Sequence, residues 1–111
     1  MQKIIKIIRP IDWEKAQNIG EIIESSLTTE GFIHCSYEYQ VPNTAAKHFS
    51  EEERILLLVV NEQKVSETLK VELAKNGEYY PHIFAPISIH AIENVFTVLK
   101  QKDGTFPFPT R

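Results

Sequence analysis

Arg54-Ile55-Leu56-Leu57-Leu58-Val59-Val60 places six consecutive aliphatic residues after one arginine. A strand with one wet face alternates apolar and polar residues, whereas a strand apolar at every position has no wet face. The run therefore predicts a central strand, covered on both sides. It is also far shorter than the roughly 20 apolar residues that span a bilayer as a helix. Upstream, Ile4, Ile5, Ile7 and Ile8, with Lys3 and Lys6 between them, predict a largely buried first strand ended by Pro10. Asp12 is the expected N-cap of a short helix from Trp13 to Asn18, with Gly20 at the left-handed position beyond it. Glu21 to Leu27 reads as a short strand or an irregular connection, and Glu30-Gly31 as a turn.

Phe32 to Ser36 predicts a further short strand. Tyr37 to Val41 follows as one helical turn, and Pro42 opens a helix running to about Phe49. Past the central run, Val65 to Leu69 suits a short helix, Lys70 to Ala74 a strand and Asn76-Gly77 a turn. Tyr79 to Pro86 contains two prolines and is expected to be partly irregular. A helical turn over Ser88 to Ile92 and a last strand, Val95 to Gln101, complete the body. Residues 102–111, with Phe106-Pro107-Phe108-Pro109, form an extended tail that cannot be a central strand. The result is one α+β domain over residues 1–111, with short helices.

The 111 residues carry 12 Lys and Arg against 15 Asp and Glu, a formal net charge of −3. That balance argues against general nucleic-acid binding. Hydrophobic residues at 42% and charged residues at 24% are ordinary globular usage. Met1-Gln2-Lys3 leads directly into amphipathic sequence without a signal-peptide core. One cysteine, Cys35, cannot form an internal disulfide, so a reduced, cytoplasmic setting without a membrane partner is expected. Oligomeric state has no signature in the sequence.

Charge is unevenly spread. Gly31 to Ala46 and Tyr79 to Leu99 carry one formal charge each, Glu38 and Glu93, yet hold three of the four histidines, all four tyrosines and the cysteine. Such stretches are buried or line a cavity. On a strand, alternation puts Phe32, His34 and Ser36 on one face and Ile33 and Cys35 on the other. An aromatic ring, an imidazole and a hydroxyl together suit a small-molecule pocket; a buried histidine bonded to a backbone carbonyl is the plainer alternative. Tyr79-Tyr80-Pro81-His82-Ile83-Phe84-Ala85-Pro86 can wall a cleft or serve as a rigid crossover. Glu72 either projects into that cleft or is simply solvated. Cys35, facing the core, is a poor nucleophile. No HxH, HExxH or CxxC spacing points to a metal, and the four scattered glycines exclude a phosphate-binding loop. Phe106 and Phe108 would be the likeliest elements of a protein-interaction surface.

Glu30-Gly31-Phe32-Ile33-His34-Cys35-Ser36, Gln40-Val41, Ala45-Ala46, Lys70-Val71-Glu72 and Pro81-His82-Ile83-Phe84-Ala85-Pro86-Ile87, in that order, resemble the bacterial domain-of-unknown-function family 952 over nearly the whole chain. Phe84 and Ala85 stand where that family leads one to expect Tyr and Gly. The resemblance implies an ADP-ribosylation-like fold, a split two-sheet body whose cleft holds NAD or ADP-ribose in relatives. By that analogy His34, Glu72 and His82 would be catalytic, with His34 on a ribose hydroxyl and Glu72 orienting the ribose or a nucleophile. Phe32, Cys35 (through its backbone), Ser36, Gln40, Tyr80 and Phe84 would bind the ligand. The implied activity is ADP-ribosyl transfer or binding; a non-catalytic ligand-binding or protein-interaction module is the alternative.

Overall fold

The computed structural model describes residues 3–108. The strand Arg54–Val60 (β5) is central, as its composition requires. It pairs antiparallel with Ile4–Ile8 (β1) on one side and Ile92–Leu99 (β9) on the other, and Ser36–Tyr37 (β4) flanks β1. Its two faces supply two separate cores. Ile55, Leu57 and Val59 pack with Ile5, Ile7 and the helix Val41–His48 (α3) through Val41 and Ala45. Leu56, Leu58 and Val60 pack with Ile4, Ile8, Ile33, Ile83 and Ile87, and with Ala16 of the helix Pro10–Ile19 (α1). Each fully buried aliphatic contributes about 1.5–3 kcal/mol, so a strand buried on both faces anchors both layers.

A second, three-stranded antiparallel sheet has the order Ile33–His34 (β3), Tyr79–Ile83 (β7), Leu69–Leu73 (β6). A two-residue ribbon, Glu21–Ile22 (β2) with Ile87–Ser88 (β8), forms a third. The body thus has three sheets among the described residues, where two were expected. Between β2 and β3 lies a one-turn helix, Ser26–Thr29 (α2). No helix among the described residues is long and apolar enough to cross a membrane.

Several boundaries differ from the sequence reading, each for a local reason. Helix α1 begins at Pro10, with Arg9 at the N-cap, rather than at Trp13 under Asp12. Proline lacks the N–H that the first helical position leaves unbonded, so it opens the helix at no cost. Asp12 sits in the first turn and accepts from Arg9 Nε at 2.8 Å. Gly20 does close the helix with φ 105°, and its N–H donates to the Ala16 carbonyl at 2.7 Å. The stretch Glu62–Val65 is a short 3-10 turn capped by Asn61 Oδ1, and Leu69 already belongs to β6.

The predicted strand Phe32–Ser36 is two strands that join different sheets, with the break at Cys35. The irregularity expected of Tyr79 to Pro86 is confined to its end, because β7 is a regular central strand containing Pro81. The two observations share a cause. Cys35 N–H donates to the Pro81 carbonyl at 3.1 Å. In an antiparallel pair the partner would return the bond, but proline has no N–H. The ladder stops there, and the chain crosses from the β3 sheet to the β4 sheet.

The tail also differs. Residues 102–104 form a turn, in which Asp103 Oδ1 accepts from Thr105 N and Oγ1. Phe106 is completely buried in the α3-side core and Phe108 packs against it, so neither is an exposed docking element. Pro109 to Arg111 lie outside the described residues. The substitution Phe106→Ala is expected to destabilise the protein by about 3–5 kcal/mol, the usual range for emptying an aromatic core site. Guanidinium denaturation measures it; a loss below about 1 kcal/mol would show that the ring is peripheral.

Candidate functional site

Register decides which side chains of the β3-β7-β6 sheet share a face. His34 stands opposite His82, which stands opposite Lys70, and Tyr80 stands opposite Glu72. Alternation adds Phe32 and Phe84 to this set. Ile33, Pro81 and Ile83 occupy the other face and are fully buried. The inner face is core at Ile33, Pro81 and Ile83 and open toward the Leu73–Tyr79 end, and the outer face carries two imidazoles, two phenyl rings, a phenol, a carboxylate and an ammonium group.

These groups are in contact. The Phe32 ring stacks on His82 at 4.0 Å between centroids with planes 17° apart. It also meets His34 at 4.8 Å and Phe84 at 5.1 Å, and the two imidazoles lie edge to face at 5.3 Å. Lys70 Nζ sits 5.1 Å over the Phe84 ring. Each histidine has its own carboxylate: His82 Nδ1 to Glu72 Oε1 at 2.7 Å, and His34 Nε2 to Glu30 Oε2 at 2.9 Å. An ionised carboxylate only accepts, so the contacting ring nitrogens carry the protons. That leaves Nε2 of His82 and Nδ1 of His34 as acceptors when the rings are neutral, and orients both rings. His34 is the accessible imidazole, with its side chain 50% exposed; His82, under Phe32, is 13% exposed. Glu72 is 43% exposed. Tyr80 OH accepts from Asn76 Nδ2 at 2.9 Å and belongs to the adjoining turn.

Three residues expected at the site are committed elsewhere. Ser36 is buried, and its hydroxyl donates to Thr44 Oγ1 of α3 at 3.3 Å. The shared face with His34 fails because the strand breaks at Cys35, between them. The Cys35 N–H, which the analogy assigned to a ligand, is bound to Pro81. Gln40 is buried: its Oε1 accepts from Tyr37 N at 2.8 Å, and its Nε2 donates to the Tyr79 carbonyl at 2.9 Å and Glu78 Oε1 at 3.1 Å. It ties the 3-10 turn at Glu38–Gln40 to the start of β7 and has no donor left over.

Sequence reasoning did not single out Glu30, Lys70, Lys6 or Glu24. Glu30, four residues before His34, has in the sequence the look of a turn residue that opens the Glu30–Ser36 segment, with no sign that it pairs with the imidazole. Lys70, two residues before Glu72, follows from the same alternation that places Glu72. His48, at the end of α3, makes no ring contact with the aromatic group but is near enough to feel His34: burial, then Lys47 and His34, lower its pKa. His90 lines an open groove of about 390 Å3 between α1 and the start of β9, with Trp13, Gln17 and Val95. Among the described residues, no cluster of three His, Cys, Asp or Glu side chains is arranged to hold a metal ion.

The family model "Protein of unknown function (DUF952)" matches residues 7–95, most of the chain, and the protein belongs to that family. The crystal structure of protein CC0527 from Caulobacter crescentus is similar, with a TM-score of 0.87 at 28% identity, covering 95% of this chain and 93% of that one. The solution structure of CC0527 gives a TM-score of 0.80 at 29% identity, over 93% of this chain and 90% of that one. Among curated proteins, none matches this chain significantly.

Burial pushes the Cys35 thiol up to about 12; the nearby Lys6 lowers it and Glu24 raises it by smaller amounts. The native thiol is therefore expected to be silent toward a disulfide reagent at pH 8 and to react fully in denaturant. Rapid stoichiometric labelling of the folded protein would show an open, activated cysteine instead.

Proposed function

We propose that the outer face of the β3-β7-β6 sheet binds a phosphate-bearing nucleotide of the ADP-ribosyl class. The observation that supports this most is the pair of imidazoles 5.3 Å apart, each bonded to its own carboxylate and both packed against Phe32. His34 is exposed enough to reach a ligand, and Lys70, two strands away on the same face and over the Phe84 ring, adds positive charge at the far side of the aromatic group. Phe32 and Phe84 offer apolar ring surface for a base or sugar. Glu72 is suited to a ribose hydroxyl through the oxygen not bonded to His82. An ADP-ribosylation-like relation between the four- and three-stranded sheets, joined through Cys35, is part of this reading and rests on fold analogy.

Binding is favoured over cleavage of NAD. Breaking the nicotinamide–ribose bond needs the ring held and a carboxylate at the developing positive charge. Glu72 can serve the second need. The groups assigned to the first, the Cys35 backbone N–H and Ser36, are bound to Pro81 and Thr44.

The test is a titration of labelled protein with ADP-ribose, NAD and nicotinamide, followed by amide and imidazole shifts. ADP-ribose is expected to move resonances of Phe32, His34, Lys70 and Glu72 and to bind more tightly than nicotinamide. Removing a hydrogen bond to a charged group costs about 1.5–3 kcal/mol, so His34→Ala should weaken ADP-ribose binding roughly tenfold or more. No shift change at millimolar ADP-ribose would end this reading. Nicotinamide release from NAD would move it from binding to catalysis.

A further inference from the structure

Among the described residues, Lys6 is the one buried Lys, Arg, Asp or Glu, at 5% exposure. It lies on β1, between Ile5 and Ile7, on the same face as Ile4 and Ile8. An ammonium group in such a place is unfavourable unless it is both paired and hydrogen-bonded. It has both: Nζ contacts Glu24 Oε1 at 2.5 Å and donates to the His34 carbonyl at 3.0 Å. The other Glu24 oxygen, Oε2, accepts from Ser26 Oγ at 2.9 Å and from the His34 N–H at 3.4 Å. One ion pair thus holds both backbone polar groups of a single residue.

The need arises from the edge of the sheet. β3 is an edge strand, and the Cys35–Pro81 bond makes His34 and His82 a non-hydrogen-bonded pair in the antiparallel ladder. The backbone groups of His34 therefore point away from β7, where a further strand would bond them. The ammonium–carboxylate pair takes the place of that strand. A methionine at position 6 would pack in the core without holding this backbone.

We infer that Lys6 and Glu24 are positioning residues for the two-histidine site: together they fix the His34 backbone, and through it the His34 ring against His82 and Glu30. The consequence for a ligand rests on the nucleotide-binding reading above; the consequence for ring geometry does not.

The experiment reads ring geometry in the ligand-free protein. Imidazole 15N–1H correlations and the nuclear Overhauser contact between the His34 and His82 rings are recorded for the wild type, Lys6→Arg, Glu24→Gln and the double variant Lys6→Met/Glu24→Gln. The double variant leaves no unpaired buried charge; should it fail to fold, the single variant Lys6→Met is read in its place, because Glu24 is partly exposed and keeps its contact with the His34 N–H. Expected results are loss of the ring contact and shifted His34 resonances in the double variant, a smaller shift in Glu24→Gln and near-native spectra in Lys6→Arg. ADP-ribose affinity should fall about tenfold in the double variant. Unchanged imidazole spectra and ring contact in a folded Glu24→Gln or double variant, or in Lys6→Met read in its place, would overturn the inference. Absence of ADP-ribose binding by the wild type would overturn the functional reading alone, since the ring spectra still decide this one.

Discussion

One unreciprocated hydrogen bond organises this molecule. The Cys35 N–H reaches the Pro81 carbonyl, and proline has nothing to donate in return. The two sheets therefore part at this position. Before it, the chain belongs to β3 and presents His34 outward; after it, the chain belongs to β4 and presents Ser36 toward α3. Pro81 is unusual in the middle of a central strand because it removes a ladder bond. Here the bond it removes is the one that would have held the two sheets together as one.

The same crossing explains why the histidine face is populated as it is. His34 and His82 are brought opposite each other by register, and a non-hydrogen-bonded antiparallel pair brings side chains closest. Phe32 then covers His82, leaving His34 as the exposed ring. Carboxylates from different elements, Glu30 beyond α2 and Glu72 on β6, secure the rings from separate directions. The face is thus assembled from three strands and a loop, and its imidazoles are oriented before any ligand arrives.

Much of this was legible in the residues. The doubly buried β5 follows from an aliphatic run with no polar alternation, and β1 from its four isoleucines. Phe32 and His34 share a face as alternation predicts, whereas His82 and Phe84 join them because Tyr79–Ile83 is a regular strand where its prolines suggest irregularity, and register places Glu72 on the same side. Ser36 and Gln40 were misjudged for a physical reason. Alternation holds only while a strand continues, and the break at Cys35 depends on a proline 46 positions away in sequence, 81 − 35. No local pattern reports such a pairing. Gln40 is a similar case, since its partners, Glu78 and the Tyr79 carbonyl, lie in a distant strand region. Lys6 lies in a strand whose isoleucines already predict burial, but its partners, Glu24 and the His34 carbonyl, are 18 and 28 positions away, 24 − 6 and 34 − 6, and only the fold brings them to it.

The burial of Phe106 has a bearing on how the protein comes into being. A ribosome delivers residues in order, so β1 emerges early and must wait for β5 and then β9 before its sheet exists. The α3-side core stays without its aromatic plug until almost the whole described chain has appeared. Until then the aliphatic surface of Ile5, Ile7 and Leu57 lacks its last cover, and a message cut short near residue 100 would yield a chain whose α3-side core is missing its aromatic ring.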